Sequence, residues 1–203
     1  MTPASLAVSC VPFQLELLIE IWAASQKVPQ GIDELYSYAI GLILDKEAWI
    51  KRGHGDYPDI LCELAFTLLM ERRPFDPKTD NLPDEIKSEL RARRLIIDRG
   101  EVMEFRHDRI RAYLGARYFA LRWRTILCHE ETLVDPNWDA MIEFHLERER
   151  DPARAREMML LLAKKEIDSA IRLARWGRAN RPVLFDGWQD ELSEEVGKRV
   201  LGA

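Results

Sequence analysis

The stretch Leu95-Ile96-Ile97-Asp98, Arg99-Gly100-Glu101, Val102-Met103-Glu104-Phe105 decides the fold. Two short β-prone runs flank a glycine-containing turn, which is the signature of a β-hairpin. Everything around it reads as helix. Upstream, Tyr57 to Arg72 places Leu61, Leu64, Ala65, Leu68 and Leu69 at helical spacing, and Pro74 stops the run. After a loop over Asp76 to Asp80, a shorter helix spans Pro83 to Arg93. Its proline at the first position, with Asp84 and Glu85 in the first turn, suits the free N–H groups and the helix dipole. Downstream, a long helix runs from Asp108, its expected N-cap, to Leu127. Ile110, Tyr113, Leu114, Tyr118, Leu121 and Ile126 form its expected apolar stripe. Helix, helix, hairpin is the order of a winged helix.

Working outward, residues 12–24 read as a helix that opens on Pro12. Phe13, Leu15, Leu17, Leu18, Ile21 and Trp22 form its broad apolar face. Val28 to Gly31 is a turn, and a second helix follows over Ile32 to Ile50, with Leu35, Tyr38, Ile40, Leu42, Ile43 and Trp49 inward. Gly53 to Asp56 is a break. Beyond the long helix, Cys128 to Asn137 is a linker. Helices over Trp138–Arg148, Pro152–Lys164 and Glu166–Trp176 are joined by brief turns. Pro182 breaks the pattern before a last amphipathic helix from Trp188 to Val200. The expected fold is mainly α. A short helical subdomain occupies 1–55, a winged helix with one small β-hairpin and its long following helix occupies 56–127, and an antiparallel helical array occupies 128–203. No repeat period names a solenoid family.

Composition bounds the function. A chain of 203 residues that is 47% hydrophobic can build a substantial core, and 32% charged residues fit a soluble protein with long charged helices rather than a membrane protein. No run of about 18 uncharged apolar residues occurs. The net charge of −5 weighs against non-specific nucleic-acid binding. Cys10, Cys62 and Cys128 are dispersed and odd in number, so a reducing, cytoplasmic setting is expected. The first ten residues lack the basic region of a signal peptide. No Cys/His spacing suits a metal. The phosphate-cradling, metalloprotease and nucleophile-elbow motifs are missing, so no enzyme is expected.

Three stretches in order resemble the C-terminal half of a STAND-class signalling NTPase of the NACHT type. Val11-Pro12-Phe13-Gln14-Leu15-Glu16-Leu17-Leu18, followed by Pro29 and Asp33-Glu34-Leu35-Tyr36, is similar to the helical subdomain after the NACHT core. There a proline ahead of a leucine-rich helix lies against the adenine. Tyr57 to Arg94 resembles the family's winged helix. Phe105-Arg106-His107-Asp108-Arg109-Ile110-Arg111-Ala112-Tyr113-Leu114, with Ala116 and Tyr118-Phe119, resembles its aromatic strand end, histidine and following helix. In many relatives that histidine touches the β-phosphate of ADP and holds the resting state. The resemblance covers about residues 11–175 and implies nucleotide contact by His107 and Pro12. It lacks the P-loop and Walker B regions, so this chain holds no nucleotide itself. ADP or ATP would reach it only through an NTPase core elsewhere, and the implied partner is that core or another protein.

Each site residue also has a plainer reading. His107 can bond backbone or cap a helix, and Pro12 can simply start one. Arg91, Arg93, Arg94, Arg99, Arg106, Arg109 and Arg111 would suit a winged-helix DNA-binding regulator, the first alternative. Asp84, Glu85, Glu89, Asp98, Glu101, Glu104 and Asp108 interleave with them and favour a docking or solvated face. A stand-alone helical scaffold for a protein partner is the second alternative. His145 reads as an interface residue, His54 and the Glu130-Glu131 pair as solvated, and the aromatic stripe as core.

Overall fold

The computed structural model describes residues 12–44, 59–80, 82–129 and 131–200. The expected end of the second helix, the Gly53–Asp56 break, His54, Trp49, Cys10 and Glu130 lie outside them. The fold is mainly helical with one two-stranded sheet. Its helices are α1 (Pro12–Ser25), α2 (Ile32–Leu44), α3 (Asp59–Met70), α4 (Asp84–Ala92), α5 (Asp108–Cys128), α6 (Asp139–Arg148), α7 (Pro152–Lys165), α8 (Ile167–Asn180), α9 (Pro182–Phe185) and α10 (Gln189–Val200). A single 3₁₀ turn, Pro136–Trp138, precedes α6. The hairpin consists of β1 (Ile96–Arg99) and β2 (Val102–Phe105).

The hairpin forms where the sequence places it. Ile96 pairs with Phe105 and Arg99 with Val102, which leaves the two-residue loop Gly100-Glu101. Gly100 has φ +73°, and a glycine accepts that left-handed backbone without a Cβ penalty. An isolated bridge from Phe75 to Met103 adds a third extended segment to the outer edge of β2. That pairing crosses nearly thirty residues of chain, and nothing in the local pattern announces it. The α4 helix ends in a Schellman arrangement. Leu95 N–H reaches Leu90 C=O, Arg94 N–H reaches Arg91 C=O, and Arg94 takes φ +57° without being glycine.

The buried faces differ from the expected stripes in three helices. In α1 the buried set is Gln14, Leu17 and Ile21, whereas Leu15, Ile19 and Trp22 are exposed. The i, i+3, i+7 row from Gln14 wins the core, and the neighbouring row faces outward. In α2, Leu35, Tyr36, Ala39 and Ile40 are buried and Leu42 is exposed. In α5, Ile110, Tyr113 and Leu114 are buried as expected, but Leu121 is 79% exposed, and the row through Ala112, Ala116, Phe119, Trp123 and Leu127 is buried as well. Small residues there let α5 lie close against α3 and α6.

The buried apolar residues form one cluster from Leu17 to Leu192, which runs across the boundaries expected at 55 and 127. At its middle, Tyr36, Tyr113 and Phe144 meet in edge and offset stacks, with centroids 5.0–5.8 Å apart. Arg148 lies over Tyr113 and pairs with Asp33, which ties α6 to α2. Helix α6 is buried nearly all round: Met141, Ile142, Phe144, His145 and Leu146 are inside.

Candidate functional site

The site begins at the strand-to-helix corner. β2 ends at Phe105, the backbone stays extended through His107 (φ −147°, ψ 131°), and α5 starts at Asp108. His107, not Asp108, therefore holds the N-cap position, which corrects the expected cap. Asp108 is already helical, so its carboxylate cannot fold back over the free N–H groups. It instead takes a hydrogen bond from Arg111 Nη2 at 2.9 Å. No side chain caps α5.

The corner meets the first turn of α1. The rings of His107 and Phe13 stack nearly parallel, with centroids 3.8 Å apart and planes 12° from parallel. Pro12, the residue before Phe13, is exposed at the helix start. The two residues that the resemblance singles out thus belong to one corner, joined through Phe13. Sequence reading placed Phe13 only on an apolar face. The i, i+1 neighbourhood of Pro12 was the signal for it, but its partner 94 positions away was not legible. Arg106 Nη2 reaches Glu16 at 3.3 Å and adds a second tie from the corner to α1.

Electrostatics favour a neutral imidazole. Burial lowers the His107 pKa. Arg106 and Arg109 lower it further, while Asp108 and Glu16 act in the other direction. Its Nδ1 is buried with no hydrogen-bond partner among the described residues. A neutral imidazole keeps one N–H donor and one acceptor, so it can still bond a phosphate oxygen, without the added attraction of a charge. Next to the stack lies a cleft of about 220 Å³ between α1 and the end of α4, lined by Phe13, Glu16, Glu20, Arg93, Arg94 and Arg106 among others.

The other singled-out residues fall elsewhere. Of the seven arginines, Arg91 pairs with Asp98, Arg99 with Glu104, Arg106 with Glu16, Arg109 with Glu143 and Arg111 with Asp108. Three of these pairs, at Arg91, Arg99 and Arg111, fall within the interleaved set, whereas Arg106 and Arg109 reach carboxylates on α1 and α6. Glu143 is half-buried, and its carboxyl pKa is raised by that burial against the pull of Arg109. His145 faces the core edge-on to Phe119, with centroids 5.5 Å apart. It is 4% exposed, and burial pushes its pKa down to about 4. Among the described residues no group of three metal-binding side chains occurs, and no helix is long and apolar enough to cross a membrane. No protein-family model matches the chain, and comparison with curated proteins and with solved structures found no similar one.

Proposed function

We propose that this chain is a non-catalytic regulatory and interaction module, similar to the winged-helix and helical part of a NACHT-type nucleotide-controlled switch protein. The observation that supports it is the Phe13–His107 stack, which joins the two quoted motifs in one corner. The module docks on an NTPase core or partner protein in the cytoplasm. ADP held by that core meets His107 and Pro12, and these contacts favour the docked state. Exchange for ATP removes part of them, so the balance shifts by the difference in contacts between the two states. The acidic side chains interleaved with the arginines lower the net field that a duplex would meet across this face, which weighs against a DNA-binding role.

Purification of the native assembly from its source cells tests this reading. The expected result is a P-loop-bearing polypeptide, either continuous with this chain or a stoichiometric partner, together with bound adenine nucleotide. An assembly with neither P-loop nor nucleotide would leave the stand-alone scaffold as the better account.

A further inference from the structure

A second cleft, of about 380 Å³, opens on the wing side of the corner and shares Arg106 with the first. Five arginines line it: Arg72, Arg73, Arg99, Arg106 and Arg111. They divide into two classes. Arg73 binds Asp80 in a fork with both oxygens, and Arg72 pairs with Asp135. Those two carboxylates are 8% and 7% exposed, so these pairs are part of the framework. Arg99, Arg106 and Arg111 pair instead with Glu104, Glu16 and Asp108, whose side chains are 49%, 52% and 88% exposed. Each is a single contact at 2.9–3.4 Å. Exposed pairs of this kind contribute little and exchange readily for a better acceptor.

Arg111 supplies the most direct pointer. Its Nη2 touches Asp108, but its Nε is buried with no acceptor among the described residues. Half of its guanidinium fork is unused, and an unmade bond at a buried donor is costly. A tetrahedral oxyanion that displaces Asp108 engages Nη2, and a turn of the guanidinium then presents Nε to the same group side-on, which one oxygen of Asp108 does not use. Leu68, Phe75, Ile97 and Phe105 supply apolar lining beside the arginines, and the volume matches that of ordinary small-ligand sites.

We propose that this cleft binds a phosphomonoester, with Arg111 and Arg99 as its principal anchors and Arg106 at its edge. The dianionic monoester replaces three weak carboxylate contacts at once, with more acceptor oxygens and more charge than any of them offers. The group is presented either on a small molecule or on a phosphorylated side chain of a peptide. A concave site of this size takes one such group and not the groove of a duplex.

Titration of the isotopically labelled chain with phenyl phosphate, followed through the arginine Nε–H resonances at constant ionic strength, tests the proposal. Saturable shifts at Arg111 and Arg99 are expected. Arg111→Gln is expected to weaken the apparent affinity tenfold or more, and Arg99→Gln severalfold. Arg124→Gln, which breaks an exposed pair with Glu157 on the array, should change nothing. A thermal melt of each variant separates loss of binding from loss of fold, and Arg99, 62% exposed, provides the variant that keeps its fold. A phosphoserine peptide that binds more tightly than phenyl phosphate assigns a peptide-borne group. Equal or weaker peptide binding assigns a small-molecule ester. Shifts reproduced by sodium chloride, shifts that survive in Arg111→Gln and Arg99→Gln, or tighter binding of a duplex than of either ester would overturn the site.

Discussion

In the helical array three segments begin on a carboxylate that accepts backbone N–H groups, although α6, which lies among them, starts on Trp138 without a side-chain cap. Asp135 takes that of Asn137, Asp151 that of Ala153, and Glu166 those of Asp168 and Ser169. Its helix ends are closed as well: Arg181 donates to the carbonyls of Leu146, Glu147 and Glu149 at the end of α6. Around the hairpin the pattern reverses. α4 starts at Pro83 and α5 at His107 without a side-chain cap, and α3 and α4 are followed by left-handed Arg72 and Arg94 where glycine is the easier residue. His107 Nδ1 and Arg111 Nε are left without partners among the described residues. The array holds such atoms as well: Trp138 Nε1, Asp139 Oδ1, His145 Nδ1 and Arg148 Nη2 are buried without partners among the described residues. What sets the corner apart is the left-handed, non-glycine closure of its helices and the cleft lined by its arginines.

The contrast can be broken or sharpened by measurement, beginning with the largest expected effect. His145, neutral in the array's core at pH 7, must gain a proton if the chain is acidified. Its folded pKa of about 4 lies below the ordinary 6.5, so the unfolded chain binds more protons between those values. Stability therefore falls as pH drops from 6.5 to about 4, by about 3 kcal/mol from this group. Half-buried Glu143 and Glu147 have raised carboxyl pKa values and slope the other way, so the comparison is wild type against His145→Leu. Denaturant melts should show a flatter acid limb in the variant. Identical limbs would remove His145 from the core.

Gly177→Ala comes next. A Cβ there would sit 2.3 Å from the ring of buried Phe185. The usual gain of about 1 kcal/mol for replacing a helical glycine is overridden by overpacking, for a net loss of about 2 kcal/mol in a thermal melt. A stabilised variant would mean that α9 does not pack on α8. Smaller again is Asp151→Ala, which removes the cap of α7 and should cost about 1 kcal/mol. Arg94→Gly should move stability the opposite way, raising it by about 0.5 kcal/mol as the left-handed strain is relieved. A loss in both variants would erase the difference between the two regions.

The array was legible because its signals are local. Pro152 and Glu166 stand where the sequence starts these helices, and the structure adds that Asp151 and Glu166 cap them. The hairpin was legible for the same reason, from Gly100 and two flanking apolar runs. The corner was only half legible. The quoted motifs pointed to Pro12 and His107, but the Phe13 stack joins segments far apart in the chain, and no periodicity reports that. The sequence presents His145 as an interface residue, since it lies on an otherwise amphipathic helix. Here α6 is enclosed by α2, α5 and α8, so no outward face remains at that position. The short helix Pro182–Phe185 presents only a proline break in the sequence, since four residues carry too little pattern to be seen.

The central claim is that the Phe13–His107 corner meets a nucleotide held by an associated NTPase core. It is tested most directly by the rate at which ADP leaves the native assembly, compared for wild type, His107→Ala and Phe13→Ala. Loss of one phosphate contact predicts release accelerated about tenfold in His107→Ala, with Phe13→Ala close behind because the stack positions the imidazole. Unchanged release in both variants, with the fold intact, would contradict it and leave the corner as packing alone.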